Sequence, residues 1–100
     1  MLIARQVFQA KYGRGDELVA LFQELNRRLQ ETGETAPRFR ILTDVSGPFF
    51  TVVTEVEVDS LAAWEGAFQQ TMSQPWMGEW FNRMMPLVES GRREFYQLVA

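Results

Sequence analysis

Residues 49–58, FFTVVTEVEV, run for ten positions without glycine or proline and are rich in valine, phenylalanine and threonine. Such a run reads as a β-strand. Side chains alternate across a strand, so Phe50, Val52, Thr54, Val56 and Val58 share one face. Phe49, Thr51, Val53, Glu55 and Glu57 share the other. The second face begins apolar and ends charged, which does not suit plain solvent. A central strand with helices on one side and a different cover on the other satisfies both faces.

The flanking chain supplies the other elements. Leu2–Ala10 alternates as a first strand, and Tyr12-Gly13-Arg14-Gly15 turns. Asp16 caps the following helix or sits as an acid in its first turn. Over residues 16–32, Leu18, Leu21, Phe22, Leu25 and Leu29 recur at helical spacing, with Gly33 as the residue after the C-cap and 34–37 as a loop. Residues 38–45 alternate again, and Ser46-Gly47-Pro48 closes a hairpin that sets Asp44 beside Phe49 and Arg38 beside Glu55. Asp59-Ser60 caps a second helix with Leu61, Trp64, Ala67, Phe68 and Met72 on its apolar stripe, making Trp64 a core residue. Pro75 breaks this helix and suits the first position of a new one bearing Trp76, Met77, Trp80, Phe81, Met84 and Met85. Pro86 ends it, Glu89-Ser90-Gly91 leads out, and residues 92–99 form the last strand. The order β-α-β-β-α-β over residues 1–100 predicts a single α+β domain of ferredoxin-like type. Its four-stranded antiparallel sheet has strand order 4-1-3-2, with helices on one face.

The uncovered face would carry Arg5 or its neighbours, Arg38, Arg40, Leu42, Phe49, Thr51, Val53, Glu55 and Glu57. Stacking on a second copy would bury the apolar part, while arginine–glutamate pairs across the strands satisfy the charges. The expected partner is therefore the chain itself, as a symmetric homodimer. A net charge of −3 argues against nucleic acid. No segment approaches the ~18 apolar residues of a membrane span, and the N-terminus lacks the apolar run of a signal peptide, so a cytoplasmic protein is expected. Cysteine and histidine are absent, which removes thiolate metal sites and the commonest general base.

The stretch VFQAKYGRGDELVALFQ resembles the first strand, glycine turn and helix of dimeric α+β barrel proteins. TEVEVDSLAAWEGAF and QPWMGEWFNRMMPLVESG resemble their third strand, helix start and broken second helix. The resemblance is to the NIPSNAP-like and stress-responsive A/B-barrel groups and covers essentially the whole chain. It implies the dimeric α+β barrel fold and assigns no single activity, since the superfamily includes cofactor-free oxygenases, haem-degrading enzymes, polyketide cyclases and small-ligand sensors. The cyclases and haem-handling relatives rely on histidine, so both are discounted here.

In this fold the gap between the broken helix and the sheet often holds a pocket. Aromatic walls from Trp64, Phe68, Trp76 and Trp80, with Tyr12, Arg40, Asn82 and Tyr96 as polar candidates, would suit a flat organic ligand. The same aromatics also serve as ordinary core. Glu55 and Glu57 share a face roughly 6–7 Å apart. Arginines on the neighbouring strand make them ion-pair partners before acid/base groups, and the oxygen ligands for a metal cannot be placed. No catalytic residue, cofactor or metal is assigned. The expectation is a homodimeric module that binds a small apolar or aromatic molecule. The alternative is a cofactor-free oxygenase or related enzyme acting on a small aromatic substrate. An inward-facing Asn82, Tyr12 or Tyr96 separates the two.

Overall fold

The period-two pattern of the third strand is realised at the centre of the sheet. The computed structural model describes residues 1–32 and 38–100. In chain order the elements are β1 (Leu2–Ala10), α1 (Gly15–Glu31), β2 (Arg40–Thr43), β3 (Thr51–Val58), α2 (Leu61–Met72), α3 (Met77–Met84), a 3₁₀ turn (Met85–Leu87) and β4 (Val88–Gln97). The sheet runs β2-β3-β1-β4 with every pairing antiparallel. This is the α+β, ferredoxin-like arrangement expected from the pattern.

The α1 stripe builds the core. Leu18, Leu21, Phe22, Leu25 and Leu29 pack with Ala10 and Val52 of the sheet and with Met77, Trp80 and Leu87. Trp80 is 2% exposed. Its indole N–H donates to the Leu21 carbonyl at 2.9 Å, so the largest core side chain buries no unmet polar atom. Asn26, also buried, donates to the Phe39 carbonyl at 3.0 Å and ties α1 to the approach to β2.

Several boundaries differ from expectation. At the start of α1, Arg14 takes the cap position, and Asp16 occupies the second of its two expected places, in the first turn with Glu17, where their charge complements the helix dipole. The expected Gly33 cap and the 34–37 loop lie outside the described residues. β3 begins at Thr51, because Phe50 has a left-handed φ of 61° that ends the extended run. The Phe50 ring packs onto Gly15, where a Cβ would meet it at 3.2 Å; a side chain at position 15 would displace it. β4 starts at Val88, four residues early: the Lys11 amide donates to the Leu87 carbonyl at 2.8 Å and Ala10 pairs with Val88 across a register shift. Gly91 thus lies within the strand, against the Phe8 ring.

The hairpin register is offset by two residues. Arg40, not Arg38, lies opposite Glu55, followed by Ile41–Thr54 and Leu42–Val53. An even offset keeps every side chain on its expected face. The Ser60 hydroxyl caps α2 by accepting the Ala63 amide at 3.1 Å. Pro75 precedes α3 instead of opening it, because a turn from Gln74 to Met77, closed at 3.1 Å, comes first. α2 completely buries none of its residues. Trp64 is accordingly half-buried, not core.

An ion pair links α1 and α3. Arg83 of α3 donates two hydrogen bonds to Glu24 of α1, and Arg28 lies 3.4 Å from the same carboxylate. The Arg83 hydrogen bonds, opposed by burial, hold the Glu24 carboxyl below its ordinary value of 4.5. A depressed folded-state pKa gives stability that is fully present above the ordinary value and lost as pH falls through the folded one. Denaturation followed from pH 7 downward is expected to show stability falling below about pH 4.5. Glu24→Gln should remove part of that slope; an unchanged slope would show that the pair contributes nothing. No helix among the described residues is long and apolar enough to cross a membrane.

Candidate functional site

The helix layer does not close fully on the sheet. Beneath α2 lies a cavity of about 300 Å³. Phe22, Leu25 and Leu29 of α1 wall one side, and Met77, Trp80, Phe81 and Met84 of α3 wall another. Trp64, Ala67, Phe68, Thr71 and Met72 of α2 form the roof, and Ala4, Gln6, Phe8, Thr54, Val56, Val58 and Arg93 form the floor. Small residues at 67 and 71, where α2 faces the sheet, leave the space unfilled.

The floor carries a polar row. Gln6 pairs with Thr54 on one side and with Arg93 on the other, so the three stand abreast on β3, β1 and β4. The Arg93 guanidinium lies 4.6 Å from the Trp64 ring centroid and 4.9 Å from that of Phe68. Those two rings stack 4.9 Å apart at 17°, and Phe95 meets Trp64 edge-on at 5.1 Å.

The opposite face of the sheet is organised around Glu55, which is 6% exposed. Arg5 donates to one carboxylate oxygen at 2.7 Å and Arg40 to the other. Arg5 also lies over the Tyr96 ring at 5.0 Å. Burial pushes the Glu55 carboxyl up, but the hydrogen bonds and charges of Arg5 and Arg40 outweigh it and hold the group below its ordinary value. Leu42, Val53 and Val7 lie abreast on one flank of this belt, and Glu57 pairs with Ile3 in register on the other.

No protein-family model and no curated protein matches the chain. Solved structures do. An uncharacterised NIPSNAP domain protein from Burkholderia xenovorans superposes on 100% of this chain and 96% of its own, with a TM-score of 0.85 at 19% identity. The fold is that of the NIPSNAP domain. A NIPSNAP family protein of unknown function from Agrobacterium tumefaciens covers 96% of this chain and 86% of its own, at TM-score 0.80 and 13% identity. An antibiotic biosynthesis monooxygenase covers all of both chains at TM-score 0.73 and 14% identity. At these identities the likeness is one of architecture.

Within the NIPSNAP fold the expected pocket residues separate. Trp64, Phe68 and Trp80 line the cavity. Trp76 packs against the core from outside it, beneath the Arg28 guanidinium. Arg40 and Tyr96 share strand parity with Glu55 and Ile3, which places them on the opposite face. Asn82 is exposed on α3. Tyr12 is 81% exposed, edge-on to Phe49 and Phe50 at the end of the sheet. Of the expected outer-face residues, Arg40, Thr51, Val53, Glu55 and Glu57 lie in register there, whereas Phe49 leaves the strand and Arg38 precedes β2. Gln6, Thr54 and Arg93 were not singled out from the sequence. Their signal is parity: each is a polar residue in step with apolar neighbours, Ala4 and Phe8, Val52, and Phe95.

Proposed function

We propose that this chain binds a small apolar or aromatic molecule between the broken second helix and the sheet, and does so as a homodimer formed through the opposite sheet face. The aromatic-walled cavity of about 300 Å³ carries the reading. Protein interiors are ordinarily packed without such voids, and this volume lies at the lower end of small-molecule sites. The dimer rests on the outer face, where a buried carboxylate and its two arginines are flanked by Val7, Val53 and Leu42. A second copy supplies the cover that such a face needs.

The alternative, a cofactor-free oxygenase acting on a small aromatic substrate, draws on the likeness to the monooxygenase. It required Asn82, Tyr12 or Tyr96 to face the cavity, and none of the three lines it, so binding is preferred. Calorimetric titration with naphthalene is expected to give saturable binding. Ala67→Phe, which fills the cavity from α2, should abolish binding without lowering the melting temperature. Absence of saturation in the wild type, or unchanged binding by Ala67→Phe, would refute the reading.

A further inference from the structure

We propose that the molecule held in the cavity carries a carboxylate on its apolar body, and that Arg93, with Gln6 and Thr54, recognises it. The inference rests on the cavity being a binding site and adds the chemical class of its occupant.

Three observations carry it. First, the polar row stands among apolar cavity residues, with Thr54 7% exposed, Gln6 half-buried and Arg93 exposed. Among the described residues, the Gln6 and Thr54 side chains hydrogen-bond to nothing in the protein and Arg93 pairs with no carboxylate. These donors are therefore available to a ligand. Second, the arginine is placed beside the aromatic roof. Its guanidinium carbon lies 4.6 and 4.9 Å from the Trp64 and Phe68 ring centroids, and its N–H groups make no hydrogen bond to the protein among the described residues. That planar fork matches a carboxylate through two parallel hydrogen bonds. Third, the charge is not cancelled nearby. Glu55 is the one acidic residue among the described residues at the cavity, and its carboxylate lies on the opposite sheet face, where both oxygens are committed to Arg5 and Arg40. Gln6 donates through its amide and Thr54 through its hydroxyl, both in register with Arg93.

Naphthoate and its neutral amide, naphthamide, share one apolar body and differ in charge. Isothermal titration of the intact protein is expected to show naphthoate binding tighter by about tenfold or more, the typical margin of a charge-assisted hydrogen bond over a neutral one. Arg93→Gln should abolish the preference, so that naphthoate and naphthamide bind with the same affinity. Arg93→Lys, which keeps the charge and aliphatic stem but not the fork, should retain part of the preference; it decides the matter if Arg93→Gln is poorly folded. Equal binding of the two probes by the wild type, or a preference that survives Arg93→Gln or vanishes in a well-folded Arg93→Lys, overturns the carboxylate assignment while the cavity reading stands. Failure of both probes to bind removes the two together.

Discussion

Replacing Trp80 with alanine is expected to cost about 3–5 kcal/mol, through lost transfer free energy and the void left behind. The site cannot collapse easily. Trp80 is 2% exposed and sits between Phe22, at a ring distance of 5.5 Å, and Phe81, also at 5.5 Å. The change also leaves the Leu21 carbonyl without its donor. Against a typical total of about 5–15 kcal/mol, a loss of this size brings a domain near its unfolding limit. Urea denaturation of the variant measures it, and Trp80→Phe separates packing from the hydrogen bond by keeping a ring without the N–H. A loss below about 1 kcal/mol for the alanine variant would contradict the packing described. The same truncation at Trp64 should cost much less. Trp64 is half-buried over a space that is already open, so little new void is made.

The second large effect is expected at Glu55. A double-mutant cycle between Arg40→Ala and Glu55→Ala, read by dimer dissociation in sedimentation equilibrium, should give a coupling of about 3–5 kcal/mol, as for an ion pair sealed from water. In an isolated chain the expectation is different. The Arg40 side chain is 67% exposed there, and such a pair couples by about 0–1 kcal/mol. The size of the coupling therefore reports whether another surface covers the belt. Additive effects, or a wild-type mass of 11.6 kDa at tens of micromolar, would remove the sheet-to-sheet dimer. Arg38 serves as control: it precedes β2 and makes no ion pair among the described residues.

Strand parity made most of the fold legible. The faces of β1 and β3, the Ser60 cap and the strand order follow from alternation, turn chemistry and chain topology. What escaped depended on contacts distant in sequence. Gly91 looked like an exit from a helix because glycine is a strong local punctuator; only the Phe8 ring pressed against it shows why a strand residue there lacks a side chain. The hairpin offset arose because the left-handed Phe50 lengthens the connection beyond its turn residues. For the site, helical spacing found the aromatic roof. The polar floor is not legible from residue type: tyrosine and asparagine look functional wherever they fall, whereas a glutamine, a threonine and an arginine within strands do not. Gln6 is in step with Ala4 and Phe8, and Arg93 with Phe95, so parity alone places both on the helix-covered face.

α2 buries no residue completely, whereas α1 buries seven. Stability is accordingly uneven along the chain, and the roof of the cavity is expected to open more easily than the α1 core. Separating α2 from the sheet leaves Leu18, Phe22, Val52 and Trp80 in place, so a guest can reach the interior by local opening, at a free energy well below that of global unfolding. A bound guest that supplies the missing packing would bring the stability of α2 closer to that of the rest of the domain.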